Sequence, residues 1–239
     1  MTNQTTLFQH NTLASLMAGL YKGTVSIEDL LKHGDLGIGT LDYIDGELII
    51  LDGKAYQARA LKDQVQVLEV DPKELVPYAA IVSHRVDSSF RIDQAISDSN
   101  LKEKLLTYFK SKNLFQSIKI TGKFENMHVR MIPKSQAGKS FAEIASQQPE
   151  FTEATVCGTL VGFWTPELFH GVSVAGYHLH FLSEDHSFGG HVMDFRLVEG
   201  QVEIGQIDSL QQDFPSQNSD FLEADFDVKK LMEDITKSE

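Results

Sequence analysis

The spacing of apolar residues changes along the chain from a helical period to a strand-like one. Near the start, apolar residues recur at helical spacing at Leu13, Leu16, Met17 and Leu20. We therefore predict a helix over Thr12–Leu20, followed by a second short helix that Ser26 can cap. From Thr40 onward, short apolar runs alternate with turn residues, which predicts strands. The pattern as a whole indicates a chain that mixes helices with a larger share of sheet.

Two Asp-Gly pairs lie between apolar runs after Thr40. Asp45–Gly46 and Asp52–Gly53 are each typical of a two-residue hairpin turn. A two-residue turn at Asp45–Gly46 would pair Thr40 with Leu51. Thr40 and Glu47 would then share a face but lie on the order of 13 Å apart. On this register the two side chains cannot easily contact one small substrate, and of the two we expect Glu47 to do so.

Glu47 is an acid at the start of the apolar run Leu48–Leu51. It can be a residue at a strand end whose carboxylate reaches water. It can also be an acid placed in an apolar site, where burial makes it harder to ionise. The residue pattern leaves both alternatives open.

Further along, the pattern predicts six strand segments, two helices and one segment that is a short helix or a loop. The strands are expected at Val65–Val70, Tyr78–Ser83, Gln116–Gly122 paired with Phe124–Pro133, Val156–Trp164 and Val202–Ile207. The helices are expected at Ser97–Asn113 and Asp227–Thr236, and a short helix or a loop is expected at Lys139–Gln148. In the strand from Phe124, Arg130 lies on the polar face, where its guanidinium can bind a substrate carboxylate through two N–H groups. A surface ion pair is the alternative.

Three histidines mark the most informative stretch. His178 and His180 lie two apart in a predicted strand and therefore share a face. The polar segment Ser183–Gly190 ends in Gly-Gly and predicts a turn, after which His191 opens a second strand. Three imidazoles from two strands suit a divalent transition metal with a coordination position left open. Ordinary polar or core histidines are the alternative, and His186, on the turn, is not expected to be a ligand.

Composition narrows the possible functions. A net charge of −13 over 239 residues argues against nucleic acid or an anionic membrane surface as partner. Cys157 is the single cysteine, so neither an intrachain disulfide nor a cysteine-rich zinc site can form. Because the N-terminus has no basic region and no long apolar run, we expect a cytoplasmic protein.

Several segments, in this order, resemble bacterial α-acetolactate decarboxylases: Leu7–Leu20, His33–Thr40, Asp45–Ile49, Leu51–Gln57, Met127–Arg130, Gly162–Gly171 and Gly176–Phe195. The resemblance implies an α/β (α+β) fold of two domains. The N-terminal part would hold a mixed β-sheet, and the C-terminal part a mostly antiparallel β-sheet that carries the three-histidine metal site. We set the boundary so that residues 1–114 form the first domain and residues 115–239 the second. Dimers are typical of the family, so a homodimer is expected.

The resemblance also implies a reaction and its residues. The family converts 2-acetolactate to acetoin and carbon dioxide with zinc, in acetoin and butanediol biosynthesis; a metal-stabilised enediolate is then protonated stereospecifically. The zinc ligands correspond to His178, His180 and His191. The catalytic residues correspond to Thr40, Glu47, Arg130 and a glutamate of the C-terminal tail, matched to Glu239 with Glu233 as the second choice. A different zinc enzyme, such as a hydrolase, and a metal-dependent binding module are the rival functions.

Overall fold

A computed structural model of the chain describes residues 4–135, 139–227, 229 and 231. Within these residues the chain forms fifteen strands and five α-helices. The strands are β1 (Thr6–His10), β2 (Val25–Ser26), β3 (Leu36–Thr40), β4 (Glu47–Leu51), β5 (Lys54–Leu61), β6 (Gln64–Glu69), β7 (Leu75–Val76), β8 (Tyr78–Val82), β9 (Ser88–Ile92), β10 (Ile96–Ser97), β11 (Gln116–Arg130), β12 (Glu150–Thr165), β13 (Gly176–Ser183), β14 (Gly189–Gln206) and β15 (Ser209–Asp213). The helices are α1 (Leu13–Met17), α2 (Ile27–Leu30), α3 (Asp98–Leu106), α4 (Phe141–Ala145) and α5 (Ser219–Glu223).

Each α-helix begins at a residue whose side-chain oxygen accepts a hydrogen bond from a backbone N–H of the first turn. These capping residues are Thr12, Ser26, Ser97, Ser140 and Asn218. Such caps satisfy amides that have no partner inside the helix. The predicted cap at Ser26 is confirmed. The helices end earlier than predicted, however; α1 stops at Met17, just before Gly19 adopts a φ of 102°.

The first sheet has seven strands in the order β15-β1-β8-β3-β4-β5-β6. It is mixed, because β1 pairs with β15 in parallel while its other neighbours pair antiparallel. The second sheet runs β10-β14-β11-β12-β13, with β9 also paired to β14, and it is antiparallel throughout. The expected combination of a mixed and an antiparallel sheet is confirmed. The remaining pair, β2 with β7, forms a two-stranded sheet.

Part of the hydrophobic core lies between the two sheets. Ile38 and Ile49 of the first sheet form one buried cluster with Val161, Phe163 and Leu182 of the second. Another cluster fills the opposite face of the second sheet, beneath α3. This packing brings the strand β4 close to the hairpin formed by β13 and β14.

The predicted boundary near residue 114 stays a prediction. Each sheet takes strands from the other side of residue 114: β9 and β10, which precede it, belong to the second sheet, and β15, which follows it, belongs to the first. The expected final helix over Asp227–Thr236 lies mostly outside the described residues. None of the helices in the described part of the chain is both long enough and apolar enough to span a membrane.

Two strand predictions need correction. The segments starting at Gln116 and Phe124 form one strand, β11, because Gly122 continues the ladder between Gly158 and Gly200 instead of turning. The segment from Val202 is likewise not a separate strand but the continuation of β14, which runs over eighteen residues. In both cases the chain passes through glycine without reversing.

The predicted register of the first hairpin is also wrong. The strands β3 and β4 pair Thr40 directly with Glu47. The connection contains a short 3₁₀ turn over Asp42–Ile44 instead of a two-residue turn at Asp45–Gly46. The second hairpin matches its prediction, since Leu51 pairs with Lys54 across Asp52–Gly53. As a result Thr40 and Glu47 are neighbours, and the separation on the order of 13 Å expected from the two-residue turn does not occur.

Candidate metal centre and active site

The three histidines of the β13–β14 hairpin converge as predicted. His180 and His191 are direct partners in the ladder, and His178 lies two residues from His180 on the same face. Their ring centroids are 5.0 to 5.5 Å apart. Each ring can offer one nitrogen such that the three nitrogens lie within 4.8 Å of one another. The arrangement is therefore compact enough to hold one metal ion.

Burial sets the charge state of these rings. Desolvation lowers the pKa of His178 and of His191 well below the usual histidine range, and the neighbouring imidazoles and Arg130 add to this effect. Burial also lowers the pKa of His180, to about 4, although a hydrogen bond to a backbone carbonyl acts in the opposite direction. At neutral pH the three rings are therefore neutral, which is the form that binds metal ions.

The tautomer of His180 is fixed by its contacts. Nδ1 donates to the carbonyl oxygen of Leu48 at 2.9 Å, which leaves Nε2 as the lone-pair nitrogen. This Nε2 is buried without a hydrogen-bond partner among the described residues, as is Nδ1 of His178. Buried nitrogens without a partner are costly in a folded protein, and a bound cation would satisfy them. The donor set thus fits a metal held by three imidazoles, with the Leu48 carbonyl orienting one of them.

Glu47 is buried at the start of β4, where only 7% of its surface is exposed. Its Oε1 accepts a hydrogen bond from the backbone N–H of Ile132 at 2.9 Å, and its Oε2 lies 3.4 Å from Nε2 of His180. Since burial keeps His180 neutral, the second contact is not an ion pair. Of the two alternatives left by the sequence, the structure favours the acid held inside an apolar site.

Thr40 is also buried, on the neighbouring strand. Its Oγ1 donates to the carbonyl oxygen of Gly46 at 2.6 Å. This bond closes the connection between β3 and β4 directly before Glu47. Thr40 therefore has a visible role in holding the loop that delivers the carboxylate.

Arg130 ends β11, opposite His191 in the ladder between β11 and β14. Its Nη2 lies 3.5 Å from Nε2 of His191. The guanidinium is thus placed beside the histidine cluster and not on the outer surface. Two other histidines of these strands and their turn make their contacts elsewhere. His128 contacts Glu150 at 3.0 Å, and His186 is exposed with its ring 4.6 Å from that of Tyr56.

A small cavity of about 60 Å³ lies beside the histidine cluster. Its lining includes five of the predicted residues, namely Thr40, Glu47, Arg130, His178 and His191. The sequence did not predict the other lining residues, which are Leu13, Leu16, Gly39, Ile44, Tyr78, Ile132, Phe141 and Gln148. Most of these come from α1, α4 and strand ends, where an apolar residue in the sequence looks like any core residue. Glu239 and Glu233 lie outside the described residues.

Comparison with known proteins gives a consistent result. The family model described as alpha-acetolactate decarboxylase matches residues 7–228. The chain is 58% identical over 239 residues to the alpha-acetolactate decarboxylase of Lactococcus lactis subsp. cremoris, covering 100% of both chains. It is 56% identical over 233 residues to that of Streptococcus thermophilus, covering 98% of each.

Solved structures agree with the sequence comparison. The crystal structure of alpha-acetolactate decarboxylase from Bacillus subtilis strain 168 superposes with a TM-score of 0.92 at 32% identity, covering 98% of this chain and 99% of that one. A Staphylococcus aureus protein described as similar to alpha-acetolactate decarboxylase gives a TM-score of 0.94 at 43% identity, covering 98% and 100%. The chain therefore belongs to the alpha-acetolactate decarboxylase family and is a carboxy-lyase.

Proposed function

We propose that this protein decarboxylates 2-acetolactate to acetoin and carbon dioxide, with zinc held by His178, His180 and His191. The observation that carries the proposal is the cluster of three neutral imidazoles, two of them buried and one half-buried, beside a buried carboxylate and a guanidinium. The substrate, 2-acetolactate, is inferred from membership of the family. Three imidazole ligands suit zinc and leave room for a substrate, although the same ligands also accept other divalent transition metals.

The substrate is a β-keto acid with a tertiary hydroxyl group beside its carboxylate. Loss of carbon dioxide pushes an electron pair toward the ketone, so negative charge develops on the ketone oxygen and an enediolate results. A bound divalent metal ion would supply Lewis-acid stabilisation of that charge. No thiamine or pyridoxal cofactor is needed, because the ketone of the substrate itself accepts the electron pair.

Arg130 is proposed to orient the carboxylate that leaves. Its guanidinium offers parallel N–H donors that match two carboxylate oxygens, and its position beside His191 puts it within the same cavity as the histidines. Cleavage requires the bond to the carboxylate to align with the π system of the ketone. Holding the carboxylate from one side would favour that alignment and so lower the barrier.

Glu47 is proposed to deliver the proton that converts the enediolate to acetoin. Because the N–H of Ile132 fixes Oε1, the other oxygen is left facing the histidines. A proton donor fixed on one side of the intermediate would give a single enantiomer of the product. The alternative donor is the tail residue Glu239, with Glu233 as the second choice. Thr40 would act on Glu47 indirectly, through the loop that it closes.

The apolar part of the cavity complements the two methyl groups of the substrate. Leu13 and Leu16 of α1 and Phe141 of α4 line the side that the histidines do not. These side chains would also exclude water, which strengthens the electrostatic interactions inside the site.

We further propose that the protein is a cytoplasmic homodimer, with neither nucleic acid nor a membrane as partner. The proposal follows from the family and from the acidic composition, with a net charge of −13. Light scattering behind a size-exclusion column would measure the mass. A monomer at micromolar concentration would refute the dimer.

The direct test is acetoin formation from racemic 2-acetolactate by purified protein, before and after chelation and after zinc is returned. We expect activity that chelation abolishes and zinc restores. Activity that is indifferent to chelation, in protein shown by elemental analysis to be free of metal, would refute the zinc mechanism. Hydrolysis of ester probes without acetoin formation would favour a hydrolase, and ligand binding without turnover would favour a binding module.

A further inference from the structure

Among the described residues that line the catalytic cavity, Gln148 is the one with an amide side chain. Gln148 is half-buried and lies between the end of α4 and the start of β12. Nothing in the proposed mechanism so far uses it. An amide carries both a donor and an acceptor, so its presence in a mostly apolar cavity calls for a partner.

The other uncharged polar side chains of the cavity are already engaged. Thr40 donates to the Gly46 carbonyl, and the hydroxyl of Tyr78 lies 3.1 Å from Oγ of Ser173. By contrast, the amide of Gln148 makes no hydrogen bond to any residue within the described parts of the chain. Among the described lining residues, Gln148 is therefore the uncharged polar side chain that can still bond to a molecule inside the cavity.

The backbone holds Gln148 in a defined place near Arg130. Its N–H donates to the carbonyl of Ala145 at the end of α4. The next residue, Pro149, accepts a hydrogen bond at 3.2 Å from the N–H of Met131, directly after Arg130. Glu150 then pairs with Arg130 in the β11–β12 ladder. These links fix the segment that carries Gln148 against the segment that carries Arg130.

We propose that the side-chain N–H of Gln148 donates a hydrogen bond to the carboxylate of the substrate, and that it shares this group with Arg130. The inference rests on the proposed function, since it assigns a contact within the same cavity. Donors from two different segments would fix the plane of the carboxylate as well as its position. That plane decides whether the bond to be cleaved aligns with the ketone. Gln148 is thus assigned as a further substrate-binding residue of the decarboxylase.

The test uses Gln148→Met, which keeps the length of the side chain and removes its donor, with Gln147→Met as the matched control. Gln147 is exposed on the same loop and contacts Lys139. Because a hydrogen bond to a charged group is lost, we expect kcat/KM for Gln148→Met to fall roughly 10- to 100-fold. Gln147→Met should stay within about twofold of the unsubstituted protein.

Two inhibitors separate a carboxylate contact from a general disturbance of the cavity. The first, 2-hydroxyisobutyrate, has the carboxylate and tertiary hydroxyl group but no ketone, so it cannot be decarboxylated. The second is the product acetoin, which has no carboxylate. We expect Gln148→Met to raise the inhibition constant of 2-hydroxyisobutyrate by roughly the factor lost in kcat/KM, and to leave that of acetoin within about twofold. An equal rise for both inhibitors, or a wild-type kcat/KM, would overturn the proposal.

Two further measurements keep the result interpretable. If Gln148→Met does not fold, Gln148→Glu, which has the same shape, takes its place; it brings a negative charge toward the carboxylate and should lose more activity than the methionine variant. Wild-type activity in Gln148→Glu would overturn the contact. If the zinc-loaded unsubstituted protein makes no acetoin, the proposed function fails. Calorimetric binding of 2-hydroxyisobutyrate to both forms would then still test the contact with Gln148.

Discussion

Acidification of the metal-free protein should destabilise it through the histidine cluster. Burial lowers the pKa of His180 to about 4, from an ordinary value of 6.5. The unfolded chain therefore takes up a proton at this residue at a pH where the folded chain does not. The free energy of unfolding must then fall as the pH drops from about 6.5 toward about 4, with no further loss from this residue at lower pH.

The size of the effect follows from the two pKa values. Between pH 7 and pH 5, His180 alone should lower the free energy of unfolding by about 2 kcal/mol. His178 and His191 act in the same direction, since burial lowers the pKa of each. The buried residues His10 and His84 contribute in the same direction, so the profile of the unsubstituted protein is a sum.

A substitution at His180 isolates its share. His180→Asn removes the titrating ring, while its amide N–H can still donate to the carbonyl of Leu48. Urea denaturation of chelator-treated protein at pH 7, 6 and 5 would give the free energies of unfolding for both forms. We expect the decrease on acidification to be smaller in the variant by about 2 kcal/mol. If the free energy of unfolding fell equally with pH in both proteins, the claim that buried, neutral His180 carries this pH dependence would be refuted. His186→Asn, which removes an exposed histidine, serves as the control.

Three substitutions test the neighbouring residues. Glu47→Gln can still accept the hydrogen bond from Ile132, so we expect a normal zinc content by elemental analysis. Because the proton donor is lost, kcat for acetoin formation should fall by about 100-fold or more. Full activity would remove Glu47 from the mechanism. Arg130→Lys replaces the paired donors with a point charge, and we expect roughly a tenfold loss in kcat/KM. The control Arg91→Lys, at an exposed ion pair, should leave kcat/KM unchanged. Thr40→Val leaves the carbonyl of Gly46 without its donor, and we expect the free energy of unfolding to fall by about 2 kcal/mol, or Tm by roughly 4–8 °C. Thr40→Ser keeps the hydroxyl and should avoid this loss. An unchanged Tm in Thr40→Val would show that the hydroxyl does not hold the loop.

The hairpin with the three histidines could be predicted from the sequence because every relation in it is local. His178 and His180 share a face through the period of the strand, and the turn before His191 is signalled by polar residues and Gly-Gly. Glu47 and Arg130 were candidates from the residue pattern, which left an alternative open for each. Their place in one site with the histidines depended on the resemblance to a family. Gln148 had no signal of either kind, because its place in the cavity depends on how α4 and the start of β12 meet the end of β11.

The connection between Thr40 and Glu47 shows why local turn chemistry failed at the site itself. Asp45–Gly46 favours a two-residue hairpin, yet the chain instead places Tyr43 and Ile44 at φ values of 58° and 53°. Positive φ is unfavourable for both residues, and especially for a β-branched one such as Ile44.

Contacts from distant segments compensate for this strain. The N–H of Tyr43 donates to the carbonyl of Tyr21, and its own carbonyl accepts from the N–H of Ser135. Gly46 donates to the carbonyl of Ile132, and Ile44 is fully buried in the wall of the cavity. Backbone strain of this kind persists only where the surroundings over-determine it, and it is frequent at functional sites. Here its consequence is geometric: the longer connection sets Thr40 level with Glu47, so that one hydroxyl can close the loop that holds the buried carboxylate beside the histidines.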